Sequence, residues 1–387
     1  MQLLVAVAGL LLISLILWEA FESIVLPRRV SRRLRLVWFL YRATWIPWRS
    51  VARRLSSDQR DSFVAIYGPL ALLMLLGAWA AGLIVGFGAL FWALLPPGTV
   101  SLGQALYFSG STIFPLGRAD LPLDTPAIRA LEVVESGLGV AFLALVIAYL
   151  PVMYEAFSRR EVNISLLVAR AGSPPTAVEL MRRLSRGEGT GSAIEVLRDW
   201  ERWSAELLES HLSYPSVAYF RSQHDNQSWL AALTMILDVS SLVMVGIDGV
   251  PTAQAQLTYA MSRHAAVDLA QVFTARPCTS EPDRLPPRLM PELRRVLAEA
   301  GVRLRDEERA DAELAKLRQA YEPYVCALSR FLVMDLPPWI PSREVMDSWQ
   351  TSAWDHTGDA TGGPGKRESP VPLEKIRGEN ERERKAG

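Results

Sequence analysis

One short stretch, Phe108 to Asp120 (FSGSTIFPLGRAD), contains the residues whose types and spacing suggest chemistry. Hydroxyl side chains are followed by a proline and a glycine, and then by the charged residues Arg118 and Asp120. No Asp, Glu, Lys or Arg occurs from Ser62 to Gly117, which is unusual for a soluble domain and is expected where lipid surrounds the chain. Irregular backbone at membrane depth is tolerated only where it is buried in protein or lines water. The stretch therefore suggests a water-lined pore.

A short helix is predicted directly before the irregular part of this stretch. Residues 96–98 (Pro-Pro-Gly) end the preceding apolar helix, and Ser101 is a suitable N-cap for a helix that reaches Thr112. A helix of this length spans about 18 Å, which is roughly half a bilayer. The predicted element is therefore a re-entrant pore helix and loop at 101–120. The alternative, an extracellular loop, would expose several large apolar side chains, which is uncommon.

Three apolar segments are long enough to cross a bilayer, and they predict an all-α membrane protein. The predicted parts are an N-terminal transmembrane helix at 1–26, a basic aromatic cytosolic segment at 27–61, a pore module at 62–157 (outer helix 63–95, inner helix 128–157), an all-α cytosolic domain at 158–345 and a disordered tail at 346–387.

The arginines predict the orientation of these segments. They cluster in 27–61 and again directly after Phe157, and an excess of arginine beside a span marks the cytosolic side. We therefore expect a multi-pass protein of the plasma (inner) membrane, with its N-terminus outside and its C-terminal domain in the cytoplasm. A signal peptide is the alternative for the first segment, which lacks the basic start and small-residue cleavage site that a signal peptide needs.

The segment at 27–61 interleaves aromatic rings with arginines, which favours a helix in the headgroup layer that binds membrane lipids. The residues expected at this lipid interface are Arg28, Arg29, Arg32, Arg33, Arg35, Trp38, Trp45 and Trp48. Nucleic-acid binding is the alternative for this pattern. Because the segment is tethered between two spans, the membrane is the nearer anion and no nucleic-acid partner is expected.

The stretch at 108–120 resembles the pore helix and selectivity filter of bacterial two-span potassium channels, whose pattern is Thr-x-x-Thr-x-Gly-Tyr-Gly-Asp. Thr112 matches the first threonine, and Leu116, Gly117 and Asp120 match in place. The resemblance covers roughly residues 63–157, so the first transmembrane helix is an addition to the family pattern. It implies a homotetramer around a pore for a monovalent ion, K⁺ if the pore conducts, with no further cofactor.

The resemblance also implies roles for individual residues. The selectivity-filter region would comprise Thr112, Ile113, Phe114, Pro115, Leu116, Gly117, Arg118, Ala119 and Asp120. The gating hinge of the inner helix would comprise Gly137, Gly139 and Pro151.

The predicted filter departs from the family at three positions: Pro115 replaces the filter threonine, Arg118 the tyrosine and Ala119 the second glycine. Potassium filters replace the hydration shell with backbone carbonyls, whereas rings of arginine favour anions, unless Asp120 neutralises each one. We therefore expect a potassium-channel-like tetrameric pore with an unsettled selectivity. The alternatives are a nonselective or anion-permeable pore, and a non-conducting membrane scaffold or sensor that retains the channel fold.

The C-terminal domain shows helical periodicity and no strand alternation. Its most apolar segment, 229–245, contains Asp238 and is expected to be a buried core helix, with a fourth membrane crossing as the alternative. The chain has no metal-ligand spacing, phosphate-binding loop or nucleophile elbow, so no metal site and no enzymatic activity are expected. Cys278 and Cys326 are distant in sequence, which favours free thiols in a reducing compartment over a disulfide framework.

Overall fold

The structure is a computed structural model that describes residues 1–25, 36–114, 116, 125–185, 190–222, 227–247, 251–279, 282–304 and 308–340. Within these ranges all regular secondary structure is helical, apart from one isolated bridge between Ile247 and Leu304. The α-helices are α1 (Gln2–Ala20), α2 (Leu36–Ala52), α3 (Ser57–Ala65), α4 (Tyr67–Leu94), α5 (Leu102–Ile113), α6 (Pro126–Ala171), α7 (Ala177–Ser185), α8 (Thr190–Ser213), α9 (Trp229–Gly246), α10 (Thr252–Val272), α11 (Met290–Glu299) and α12 (Glu308–Leu332).

Shorter helical turns complete the described part of the chain: a π-turn at Phe21–Val25 and 3₁₀ turns at Pro215–Tyr219 and Pro287–Leu289. The all-α prediction is confirmed for these residues. The predicted disordered tail at 346–387 lies outside the described residues.

Within the described ranges, four helical segments are long and apolar enough to cross a membrane: Gln2–Ile24, Gln59–Leu94, Pro126–Ala171 and Trp229–Gly246. This finding rests on length and composition, and it indicates a membrane-embedded protein. The last of the four segments is α9, of which 94% is buried inside the protein. Its surroundings therefore favour the predicted core helix over a fourth crossing.

The first and second apolar segments pack closely because glycines line their contact. A Cβ atom at Gly9 of α1 would lie 2.7 Å from the carbonyl oxygen of Gly86 in α4. A Cβ atom at Gly82 would lie 2.8 Å from the side chain of Ile16. Since lipid offers little hydrophobic driving force, such close backbone approach supplies the van der Waals contact that holds membrane helices together.

Helix α6 is longer than the inner helix predicted at 128–157. It runs without interruption to Ala171, where Gly172 ends it with a φ of 79°. At 1.5 Å per residue, a helix of 46 residues is about 69 Å long, which is more than twice the thickness of the hydrocarbon core. The predicted domain boundary after Phe157 therefore falls inside a continuous helix, because the lower part of α6 packs against the C-terminal domain.

Helix α2 packs against protein rather than lying free at a lipid surface. The Trp45 side chain is 1% exposed, and its indole Nε1 donates to the carbonyl oxygen of Phe331 in α12 at 2.9 Å. Its ring lies 4.6 Å from that of Tyr67 and 5.1 Å from that of Tyr219, centre to centre. The predicted lipid-facing position is therefore wrong for Trp45, because α2 folds back onto α4 and α12.

The remaining residues of the predicted lipid interface have mixed outcomes. Trp48 is half-buried and stacks on Phe63, with ring centres 4.4 Å apart. The arginines at 28, 29, 32, 33 and 35 and the side chain of Trp38 lie outside the described residues.

The charge in the middle of α9 is neutralised inside the C-terminal domain. Asp238 is 1% exposed, and its carboxylate accepts from the Tyr321 hydroxyl at 2.5 Å and from the Arg284 guanidinium. Burial alone would lower the pKa of Arg284, but the adjacent Asp238 carboxylate outweighs it and raises that pKa. A buried charge is tolerated when it is paired and hydrogen-bonded, so Asp238 is compatible with a core helix.

Arg160 joins α6 to the C-terminal domain. Its side chain is buried, and the guanidinium donates to the carbonyl oxygens of Val217 at 3.0 Å and Phe220 at 2.9 Å. The Phe220 ring packs on Gly68 of α4, where a Cβ atom would lie 2.9 Å from Cδ2 of that ring. The turn at 215–220 is therefore held by the outer helix, the inner helix and α8 together.

His211 of α8 lies beside this guanidinium in its neutral form. Burial, followed by the charge of Arg160, lowers the pKa of His211 to about 3. Its Nδ1 lies 2.8 Å from the Leu207 carbonyl oxygen, which can only accept, so the ring proton is on Nδ1. The lone pair of Nε2 then faces Arg160 at 3.5 Å.

We expect Arg160→Lys to lower stability by about 1–3 kcal/mol, because a single ammonium group cannot replace the forked contact with both carbonyl oxygens. The measurement is the thermal denaturation midpoint of the protein in detergent. Arg159→Lys is the matched control, since the Arg159 side chain is 72% exposed and pairs with Glu155 at the surface. Equal midpoints for the two variants would contradict the role assigned to Arg160.

Candidate functional site

The helix α5 confirms the short helix predicted before the filter region. The hydroxyl of its N-cap, Ser101, accepts from the Gln104 backbone N–H at 3.2 Å, and the Gln104 side chain accepts from the Ser101 backbone N–H at 2.8 Å. This reciprocal capping box satisfies two backbone donors at the helix start. Local sequence therefore fixes where α5 begins, and α5 ends at Ile113, directly before the segment that resembles a filter.

Helix α5 packs against α4 through small and aromatic residues. A Cβ atom at Gly88 would lie 2.8 Å from the side chain and 3.1 Å from the Cα atom of Leu106. The rings of Phe91 and Phe108 meet edge to face, with centres 4.8 Å apart. Both contacts require α5 to lie directly on the outer helix.

A buried polar contact joins α5 to α4 and α6 together. The Ser109 hydroxyl lies 3.0 Å from the Ile84 carbonyl oxygen of α4 and 2.5 Å from Oε1 of Glu135 in α6. Ser109 and Glu135 are both 0% exposed. A single hydroxyl proton cannot serve two acceptors at once. If Glu135 carries a proton, its carboxyl group donates to Ser109, and Ser109 donates to Ile84.

Glu135 is a residue that the sequence analysis did not identify. Acidic and ionisable residues within membrane segments are costly and commonly functional. In the sequence Glu135 follows Glu132 near the start of the inner helix, where acidic residues are ordinary, so its composition carries no signal. Only the docking of α5 buries it, and its burial opposite a hydroxyl group could not be read from spacing.

The two glycines of the predicted hinge have different surroundings. A Cβ atom at Gly139 would lie 2.4 Å from the carbonyl oxygen of Ile113, at the end of α5. A Cβ atom at Gly137 would have nothing within 4 Å. Pro151, the third predicted hinge residue, is exposed within α6, and the helix continues through it. The hinge stays a prediction, but Gly139 has a structural reason of its own, which is close contact with α5.

The structure describes part of the predicted filter region. The Thr112 hydroxyl donates to the Phe108 carbonyl oxygen at 3.0 Å, and Ile113 is buried. The side chains of Phe114 and Leu116 are exposed, and the Leu116 N–H donates to the Ser111 carbonyl oxygen at 3.1 Å. Pro115 and the residues Gly117, Arg118, Ala119 and Asp120 lie outside the described residues.

Helix α6 presents a long apolar surface that no other part of the described chain covers. In its most apolar window 17% of the residues are buried, against 50% for the Gln59–Leu94 segment. The exposed side chains include Val133, Val134, Val140, Leu143 and Ile147. A surface of this kind faces lipid or another protein chain.

The described residues contain no group of three or more His, Cys, Asp and Glu side chains that could hold a metal ion. No protein-family model matches the chain, and no curated protein or solved structure matches it significantly. The geometry of the chain itself is therefore the basis for a functional proposal.

We expect Ser109→Ala to lower stability by about 1–3 kcal/mol, because the variant leaves the buried Glu135 carboxyl group without its hydroxyl partner. Thermal denaturation in detergent is the measurement. Ser111→Ala is the matched control, since Ser111 is also buried in α5 but donates only to Phe108 within its own helix. Glu135→Gln, whose amide can donate to Ser109 as a carboxylic acid would, should stay near the wild type. A destabilised Glu135→Gln variant would contradict the protonated form.

We expect opposite effects from alanine at the two glycines of α6. Gly139→Ala should be destabilising, because the added Cβ atom would overlap the Ile113 carbonyl oxygen and push α5 away. Gly137→Ala should be neutral or stabilising by up to about 1 kcal/mol, because alanine favours a helix and meets open space. The denaturation midpoints of the two variants check this, and equal midpoints would refute the contact.

Proposed function

We propose that this chain is one subunit of a homotetrameric membrane pore that resembles potassium channels and has an altered selectivity filter. The observation that carries the proposal is the position of α5, a helix of 12 residues that lies against both α4 and α6. It is about half as long as a membrane span requires, and it is held by buried polar groups. A pore helix that enters the membrane partway and returns through residues 114–125 accounts for both properties.

Contacts within the chain support the topology. Helix α2 and the C-terminal domain lie on one side, because Arg53 donates to the Arg330 carbonyl oxygen at 2.9 Å and Arg60 pairs with Asp335 at 2.6 Å. At the opposite end, the Gln2 side chain donates to the Leu95 carbonyl oxygen at 2.9 Å. With the arginine-rich side in the cytosol, the N-terminus and the α5 region face outward. The arginines at 28–35 then lie beside anionic headgroups, and membrane lipids are their partners.

The open face of α6 supports assembly of copies. A single re-entrant loop supplies one quarter of a filter in the potassium-channel family, so a pore requires further chains. The inner helix is the one that lines and surrounds such a pore, and α6 is the span with the smallest buried fraction among the four. Burial of its exposed valine and leucine side chains between subunits would stabilise the tetramer, in the manner of other symmetric assemblies.

The C-terminal end of α5 favours a cation as the permeant ion. The last carbonyl groups of a helix carry partial negative charge, and those of α5 lie directly before the filter region. The substitutions Pro115, Arg118 and Ala119 favour the second candidate, a nonselective or anion-permeable pore. The third candidate, a non-conducting scaffold or sensor, follows if these substitutions close the path. None of the three candidates assigns an enzymatic activity to the chain.

Flux measurements test the proposal. We expect the full-length protein in liposomes to pass K⁺ faster than Cl⁻, and the combined change Pro115→Thr, Arg118→Tyr and Ala119→Gly to raise that ratio at least several-fold. Arg159→Lys, far from the filter region, is the matched control and should leave the ratio unchanged. Chloride flux above potassium flux would favour the anion-permeable pore.

The oligomeric state is the companion measurement. We expect the native mass in detergent to correspond to four copies of the chain. A monomeric particle would overturn the pore, and a tetramer without flux of any ion under several conditions would leave the scaffold or sensor.

A further inference from the structure

The two cysteines of the chain, which are 48 positions apart in sequence, are neighbours in the fold. Cys278 lies in the extended segment after α10, and its backbone N–H donates to the Pro323 carbonyl oxygen of α12 at 3.1 Å. Cys326 lies one helical turn after Pro323, and its thiol donates to the carbonyl oxygen of Thr279, 3.4 Å away. The two thiols are also hydrogen-bond partners of each other. Backbone contacts on both sides therefore hold the sulfur atoms together.

The two thiols differ in access to solvent. Cys278 is half-buried, whereas Cys326 is 5% exposed. Burial, followed by the neighbouring Cys278 thiol, raises the pKa of Cys326 to about 12. Cys326 is therefore a poor first nucleophile, and an oxidant from solvent reaches Cys278 first, because reactivity follows access and thiolate character. Both cysteines are free thiols in the structure.

We propose that Cys278 and Cys326 form a reversible intramolecular disulfide when a peroxide oxidises the protein. The Cys278 thiolate attacks one peroxide oxygen, so that an S–O bond forms, the O–O bond breaks and the departing hydroxide takes a proton to become water. The Cys326 sulfur then attacks the Cys278 sulfenic acid, its proton goes to the departing hydroxyl group, and a second water leaves. Two thiols lose two electrons, and one peroxide is reduced to two waters.

The bond would connect the segment after α10 covalently to the middle of α12. The same helix supplies the Phe331 carbonyl oxygen that accepts from Trp45, and Arg330 of that helix donates to the Thr279 carbonyl oxygen at 3.1 Å. Oxidation therefore stiffens the part of the domain that supports α2. Closing the loop between residues 278 and 326, which contains α11, also restricts the unfolded chain, so the oxidised protein should melt at a higher temperature.

The test uses full-length wild-type protein in detergent, treated with hydrogen peroxide, alkylated at its remaining thiols, digested and examined by mass spectrometry. We expect a cross-linked peptide pair that contains Cys278 and Cys326, its loss after treatment with dithiothreitol, and a higher denaturation midpoint in the oxidised sample. A protein in which both thiols remain open to alkylation, or a disulfide between chains on a non-reducing gel, would overturn the proposal.

Single serine variants separate the two roles. In Cys326→Ser the Cys278 sulfenic acid should persist and react with dimedone, whereas in Cys278→Ser the Cys326 thiol should stay reduced at the same peroxide concentration. Dimedone labelling of Cys326 in the second variant would reverse the assigned order and refute it. Because no readout involves ion flux, failure here leaves the pore proposal intact, and failure of the pore proposal leaves the disulfide intact.

Discussion

Helix α5 is held between α4 and α6 at points where no additional atom fits. Leu106 lies on Gly88, Ser109 lies between Ile84 and Glu135, and the Ile113 carbonyl group lies on Gly139. These α5 residues follow one another at intervals of three and four, so they share one face of the helix. The contacts combine close packing with a buried hydrogen bond, and both weaken steeply when a helix shifts. The position of the segment after α5 therefore depends on this one interface.

The membrane part and the C-terminal domain meet through a second dense contact region. Tyr219 lies at its centre, with its ring near those of Trp45 and Tyr67, and Phe220 packs on Gly68. Arg160 binds the same turn from α6. Since the outer helix, the inner helix and α2 all contact this turn, a displacement of the C-terminal domain would reach every one of them. A flexible linker could not transmit such a displacement.

Local signals made α5 predictable from sequence, and tertiary contacts made other features unpredictable. The proline pair at 96–97 and the capping box at Ser101 act within a few residues, so the start of α5 followed from the sequence. The end of α6 did not follow, because contacts around Arg160 extend the helix beyond membrane length. Trp45 carries the pattern of an interfacial residue, and only the fold shows that protein covers its ring. The hydroxyl–carboxyl contact of Glu135 and the approach of Cys278 to Cys326 depend on helices that are distant in sequence.

The packing of α6 restricts where this helix can bend. Its upper end is fixed at Glu135 and Gly139 by α5, and its lower end is buried from Tyr149 onward, where Met153 and Arg160 follow. Between these anchors no residue from 140 to 148 is buried. A bend at Gly139 would break its contact with Ile113, and a bend at Pro151 would act against the anchored lower end. Bending that keeps both anchors therefore has to occur within 140–148, so the packing assigns flexibility to a stretch that contains neither glycine nor proline.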